Sequence, residues 1–509
     1  MRFMYSFLSA LLFLPLAGCG GANGDGGEPP PPAIAVTISP TAATLAAGES
    51  QQFACVVTGS SNSACTWSVP ESGSGTVSAT GLYTAPLAAG TYQLVARSDA
   101  NPGRSATAAI TVTTPPATTP WVTGYYLGYF WDWMYPPQAV DMTAMTHFVF
   151  ARAAPGGGTL GGQPGDVMPG AGTAHQPRLS PDGVSSVEDY LVARAKAAGV
   201  KTLLMIGGVG DGDGFIHSSS DAVRPRFVGN LVDYLVAHDY DGVDLDWEDR
   251  FQGSSDGEVG GDEVKRRARA LIADLRVEAA TRARYQGAGR AMLITFPGYG
   301  VSVNEQAPGG RAQQWQADIA NAVDQYNLMS YGIGSAYNAY GWHSWFSSPI
   351  HGATLNTPYS LEASVAAYER AGVPASKIGI GIGFFGIYYG PCVTGPRQSL
   401  ACNPRFEVQD TPLRYSELVR HGFLSHGAYH WDTVAEVGYR SYPGGFQPGG
   451  GLAAAGFLSF ENPESIAAKA RYVRNRKLGG AIIWAINYDH MPDGSSPLLS
   501  ATRQHFLGR

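Results

Sequence analysis

Apolar positions follow different rhythms along the chain. Between Ala33 and Val112, short alternating runs (Ile34–Ile38, Gln51–Val57, Cys65–Val69, Thr91–Arg97 and Ala106–Val112) are separated by turn residues. A period of two puts every second side chain on one face, so these runs predict the strands of a small all-β sandwich. Beyond Pro120 solid apolar runs alternate with longer stretches of helical period. The runs are Gly124–Leu127, His147–Phe150, Thr202–Ile206, Gly242–Trp247, Met292–Phe296, Tyr326–Met329, Ile378–Ile382 and Ala481–Trp484. Helices are predicted at Val187–Ala198, Arg224–Ala237, Gly261–Thr281, Ser360–Ala371 and Glu464–Arg476. Such alternation covers both faces of a parallel sheet, and eight strand units predict an α/β fold, the (β/α)8 TIM barrel. The segment from Ile387 to Gly456 fits neither rhythm and reads as an insertion beside the barrel mouth.

The fourth apolar run carries the densest chemistry. In Asp241-Gly242-Val243-Asp244-Leu245-Asp246-Trp247-Glu248 the acids alternate with Val243, Leu245 and Trp247. On a strand that spacing sets Asp244, Asp246 and Glu248 in a line on one face, roughly 6.6 Å from one to the next. Three neighbouring anions repel, and the repulsion falls if they share protons. One member's pKa then rises toward neutrality, which is what a general acid needs. Chemistry in this barrel type collects at the C-terminal ends of the strands. Glu248 is therefore expected at the mouth, with Asp246 and Asp244 pointing inward behind it.

Composition narrows the partners. The 509 residues are 44% hydrophobic and 15% charged, a globular balance with room for two or more domains. A net charge of -7 argues against nucleic acid. The N-terminus, Met1-Arg2-Phe3 followed by apolar residues to Leu16, is too short to span a bilayer and has the form of a secretory signal. Its end, Leu16-Ala17-Gly18-Cys19, resembles the bacterial lipobox, which implies lipidation of Cys19 and a lipoprotein anchored to a membrane, at the outer membrane or cell surface. Residues 20–32 hold no large apolar side chain and predict a solvated tether reaching roughly 40 Å when extended. The remaining cysteines form two pairs of equal spacing, Cys55 with Cys65 and Cys392 with Cys402, and no C-x-x-C motif. Outside the cytoplasm they are expected to be disulfides. His421, His426 and His430 have no ordinary metal-site spacing, so no metal is assigned.

The acidic run D-G-V-D-L-D-W-E resembles the signature of glycoside hydrolase family 18, the chitinases and their relatives. Met205-Ile206-Gly207-Gly208 resembles the family's S-x-G-G, with Met205 where Ser is typical. Gln325 to Tyr331 resembles its Q-x-N-x-M-x-Y segment. The resemblance implies Glu248 as the acid that protonates the glycosidic oxygen. The substrate's own acetamido oxygen then attacks the anomeric carbon, with no enzyme nucleophile. Asp246 would orient that acetamido group and relay through Asp244, Tyr331 would hydrogen-bond it, and Trp484 would floor the sugar. Met329, Gly207 and Gly208 fall on substrate-binding segments. The implied partner is a β-linked N-acetylglucosamine polysaccharide such as chitin, with no cofactor.

Two positions depart from the family pattern: Gly332 stands where an Asp is usual, and Asn487 where an acid is common. Tyr126, Trp131, Trp133, Trp342, Trp345 and Trp431 are further rings near the expected mouth and candidates to stack on sugar faces; rings in such places are more often core than subsite, so only Trp484 is kept. Thr66-Trp67-Ser68-Val69 with Gly81-Leu82-Tyr83-Thr84-Ala85-Pro86 resembles bacterial Ig-like domains of the second group. The organisation expected is a lipoprotein signal peptide (1–18), a flexible tether (19–32), an Ig-like domain (33–114), a proline-rich linker (115–120) and the catalytic barrel (121–509). The function expected is a retaining chitinase. Competing readings are an endo-β-N-acetylglucosaminidase acting on N-linked glycans and a catalytically weak sugar-binding surface protein.

Overall fold

The computed structural model describes residues 33–509 except 47–49, 72, 87–88, 114–118, 171, 288, 305–310 and 336–339. The expected signal peptide, the tether with Cys19 and most of the proline-rich linker lie outside the described residues. The chain divides into two compact units, with the boundary between Pro116 and Ala117.

The N-terminal unit is all β. Its four-stranded sheet runs Ala42–Ala46, Ser105–Thr113, Gly90–Ser98, Cys65–Ser68. A pair, Ala35–Ser39 with Ala54–Thr58, and a three-stranded sheet complete it. Phe53, Tyr83, Leu94 and Ile110 are buried between the sheets, and Trp67 packs half-buried against them. The expected run Gln51–Val57 is two strands. Phe53 leaves the pairing, and its N–H donates to Gly81 O at 2.9 Å. A disulfide joins Cys55 and Cys65.

In the second unit eight parallel strands close on themselves. They are β1 (Trp121–Leu127), β2 (His147–Pro155), β3 (Lys201–Gly207), β4 (Gly242–Asp246), β5 (Leu293–Gly298), β6 (Gln325–Leu328), β7 (Ile378–Gly383) and β8 (Gly480–Trp484). Each pairs with the next, and β8 returns to β1 through Trp121↔Gly480 to Gly124↔Ile483. Every residue of β4 is buried. Its odd positions face the helical layer, where Trp247, just past the strand end, stacks on Phe215 at 4.9 Å. Its even positions face the barrel axis.

Helices alternate with the strands as the pattern predicts, and four more, Gly212–Ser218, Gln314–Ala322, Tyr415–Arg420 and Pro497–Thr502, were too short to read from periodicity. Between β7 and β8 lies the insertion, a five-stranded antiparallel sheet ordered Phe406–Glu407, Ile387–Tyr389, Ala455–Ser459, Val437–Phe446, Ala428–Asp432. It has its own apolar clusters and a Cys392–Cys402 disulfide.

The helix Pro463–Asn475 is tied to the end of this sheet by a buried ion pair, Lys469 Nζ to Glu461 Oε1 at 2.8 Å, with Ser465 Oγ also donating to Glu461 at 2.5 Å. Removing one partner strands the other charge without water. Lys469→Ala is expected to lower unfolding free energy by about 3–5 kcal/mol in denaturant titration.

Candidate active site

The three acids of the β4 segment lie where strand alternation predicts. Asp244 and Asp246 are buried on the barrel axis, and Glu248 follows two residues past the strand end. A narrow cleft of about 160 Å³ opens above them. Its lining includes Asp246, Glu248, Tyr331, Met329, Trp484 and Tyr125. Tyr331 and Met329 come from the end of β6, Trp484 from β8 and Tyr125 from β1, so four strands aim side chains at one point. Trp484 and Tyr125 are in ring contact at 5.6 Å.

Burial governs the electrostatics here, because it penalises the charged form of each acid. It raises Asp244 to about 6, against opposing hydrogen bonds from Thr295 and Tyr125. It pushes Asp246 well above the usual carboxylate range, with the Glu248 and Asp244 charges adding to the rise. Glu248 is raised to about 7 by burial, while its hydrogen bond with Asp246 acts the other way. The interaction between the two acids adds to the rise of Asp246 and offsets part of the rise of Glu248. Behind them Asp244 Oδ1 accepts from Thr295 Oγ1.

One cation faces the acids. Arg152, on β2, is held by the Gly207 carbonyl, Asp211 Oδ2 and Thr159 Oγ1. Its charge draws Asp246 and Glu248 down, against the burial that raises them. Gly207 and Gly208 serve the site by what they lack. A Cβ on Gly207 would meet the Asp246 carbonyl at 2.6 Å, and one on Gly208 would meet Arg152 Nη1 at 3.3 Å and Asp246 Oδ2 at 3.9 Å. The Gly208 N–H donates to Asp246 O at 2.8 Å, which fixes β3 against the acidic strand. The next residue, Val209, lines the cleft and is 77% exposed.

Both family departures have local causes. Gly332 has φ +64, a left-handed conformation that disfavours a side chain, and Phe385 and Val408 already stand over its position. Asn487 is buried; its Oδ1 accepts from the Leu127 N–H at 2.7 Å and its Nδ2 donates to Leu127 O at 3.4 Å. An acid could not supply the donor.

Sequence reasoning missed Tyr125, Arg152 and Asp410. Asp410 belongs to the insertion and enters the cleft to accept from Trp484 Nε1 at 2.6 Å and Tyr488 Oη at 3.1 Å. Neither Asp410 nor Arg152 sits in a motif; only the fold brings them here. Among the rings read as core, Tyr126, Trp342 and Trp345 are buried, and Trp131 and Trp431 are half-buried. Trp133 is a correction: it is 56% exposed, because its loop leaves the barrel wall after β1. The histidines are scattered over separate partners, His421 on Glu417, His426 on Phe446 and His430 on Tyr439.

Comparison with known proteins agrees with this geometry. The profile of glycosyl hydrolases family 18 matches residues 126–489. The chain belongs to glycosyl hydrolase family 18. Ahead of this family 18 domain, residues 33–108 match the bacterial Ig-like domain of group 2. Curated relatives include Chitinase A1 of Niallia circulans, 25% identical over 57% of this chain and 41% of that protein. Chitotriosidase-1 of Mus musculus is 26% identical over 72% of this chain and 73% of its own length. This chain therefore spans less than half of the first relative. The barrel fold recurs in an Ostrinia furnacalis Group IV chitinase in complex with allosamidin (TM-score 0.58, 20% identity, 76% of this chain and 99% of that one). It also recurs in a Bacillus thuringiensis chitinase (TM-score 0.59, 19% identity, 77% and 70%).

The charges around the acids set an expected pH response. The Glu248 carboxyl, raised to about 7, keeps its proton below that pH, so a reaction that draws its proton from Glu248 should show kcat/KM falling above pH 7. Arg152 favours the anionic forms; Arg152→Met should move the whole pH profile upward, by up to about one unit. Asp211→Asn leaves the guanidinium uncompensated and should move it downward. A purely structural role would lower rates without these opposite shifts.

Proposed function

We propose that this family 18 enzyme is a retaining chitinase that cleaves β-linked N-acetylglucosamine polymers with help from the substrate. The observation that carries the reading is the line of Asp244, Asp246 and Glu248 running from the barrel axis to the mouth of an aromatic-floored cleft. In this reading the sugar on the non-reducing side of the scissile bond lies over Trp484. Glu248 gives its proton to the glycosidic oxygen as that bond breaks. The acetamido oxygen of the same sugar attacks the anomeric carbon, forming an oxazolinium ion. Asp246 turns to the acetamido N–H and holds it, and the Tyr331 hydroxyl donates to the acetamido oxygen. Asp244, next along the strand, gives Asp246 an acceptor for its own proton as this charge develops. Glu248, now a carboxylate, takes a proton from water, which opens the oxazolinium ion from the original side and retains configuration.

Of the acids lining the cleft, Asp246 is assigned to the acetamido group, which leaves Asp410. Asp410 is engaged by Trp484, Tyr488 and the Thr411 N–H. The leaving sugar has room beside Glu248 in an adjoining cleft of about 540 Å³ lined by Asp249, Gln252, Lys265, Tyr299 and Trp315.

Wild type is expected to cleave N-acetylglucosamine hexamer. Glu248→Gln should lower kcat by about 10²–10⁴-fold while keeping oligosaccharide affinity, measured by calorimetry beside turnover. An intact hexamer together with cleavage of a chitobiose-core N-glycan would overturn the chitinase reading. Binding without turnover in wild type would leave a sugar-binding protein.

We also propose that the chain is exported and anchored through lipid on Cys19. The lipobox-like segment and the two disulfides support this. Metabolic labelling with a fatty acid should mark wild type and not Cys19→Ser; equal labelling would count against the anchor.

A further inference from the structure

Glu248 sits between two anchored residues. It lines the catalytic cleft just past the end of β4, while its neighbours Trp247 and Asp249 both attach to the segment that follows β3. Trp247 stacks on Phe215 of the helix Gly212–Ser218, and its Nε1 donates to the Asp249 carbonyl at 3.0 Å. Asp249 Oδ2 accepts from the Gly210 N–H at 2.8 Å.

The β3 exit loop is shaped to receive that carboxylate. Gly210 has φ +92, a conformation in which a side chain is strained, and it presents its N–H to Asp249. Gly212 leaves the space beside it, since a Cβ there would overlap Asp249 Oδ1. The same loop reaches the site at two further points. The Gly208 N–H donates to the Asp246 carbonyl, and Asp211 pairs with Arg152. One loop thereby fixes the backbone of Asp246, the chain past Glu248 and the cation opposite them.

Charge adds a second effect. Burial raises Glu248, the adjacent Asp249 charge adds to the rise, and Arg152 on β2 opposes it. Asp244 and Asp246 of β4 also act on Glu248, and Tyr299 past β5 and Tyr331 past β6 feel its charge. Asp410 of the insertion lines the same cleft, and Lys265 and Arg250 line the adjoining one. Of these acids, Asp249 alone can be neutralised without removing a member of the β4 line or the partner of Trp484.

We propose that Asp249 is a positioning residue for Glu248: it pins the chain just past the acid to the β3 exit loop and holds an anion beside the carboxyl that donates. The inference rests on Glu248 being the acid of the chitinase reading, and part of its test needs no turnover.

The test titrates Glu248 directly in the full chain, by NMR of isotope-labelled glutamate carboxyls, with its signal identified by absence in Glu248→Gln. Asp249→Asn keeps an acceptor for the Gly210 N–H and loses the charge, so the Glu248 midpoint should move downward by up to about one unit. On N-acetylglucosamine hexamer the fall of kcat/KM at high pH should move down with it, while kcat below that limb stays close to wild type. Asp249→Ala loses acceptor and charge together. It should show the same midpoint shift and also lower kcat by about 10–100-fold at every pH, with KM little changed. A Glu248 midpoint unmoved or raised in Asp249→Asn would overturn the proposal, as would a kcat for Asp249→Ala equal to that of Asp249→Asn. A wild type that leaves the hexamer intact would remove the chitinase reading, while the midpoints would still decide whether Asp249 acts on Glu248.

Discussion

Burying Asp244 and Asp246 on one strand, with Glu248 half-buried just past its end, is the constraint around which the barrel end is arranged. Each loses hydration there, and none has a direct ion pair among the described residues. The cost is reduced when the acids keep protons, and burial raises all three above the usual carboxylate range. Everything close by serves that arrangement. Gly207 lets β3 come within contact of the Asp246 backbone, Thr295 supports Asp244, and Arg152 supplies one cation whose own charge is balanced by buried Asp211. The same burial that makes these acids costly raises Glu248 to about 7, so that its carboxyl still carries a proton near neutral pH.

How much of this was legible in the chain depended on whether a signal was local. The β4 acids were readable because period-two alternation fixes their face, and all eight barrel strands were readable because parallel strands buried on both sides are solid apolar runs. Tyr331, Met329 and Trp484 followed from motifs attached to strand ends. Arg152 and Asp410 were not legible, since each reaches the acids only through the closure of the barrel or the fold of an insertion. Trp133 was misread for a related reason: an aromatic in a loop carries no mark of which way the loop turns. The insertion itself, with strands as short as Phe406–Glu407, gave no period long enough to measure.

The insertion links substrate floor to barrel rim. Asp410 fixes the indole of Trp484 and, through Tyr488 and Thr411, connects to Arg414. An element added between β7 and β8 thereby completes a site whose acids come from β4. This division, with chemistry on a rigid strand and contacts on loops, is the usual economy of the barrel fold.

The central claim is that the substrate's acetamido group, and no enzyme carboxylate, attacks the anomeric carbon. Proton NMR of the first products from N-acetylglucosamine hexamer, run beside the fully deacetylated hexamer, tests it most directly. The account predicts β-anomeric products from the acetylated chain and no cleavage of the deacetylated one. Initial α-anomers, or comparable cleavage of both chains, would contradict it.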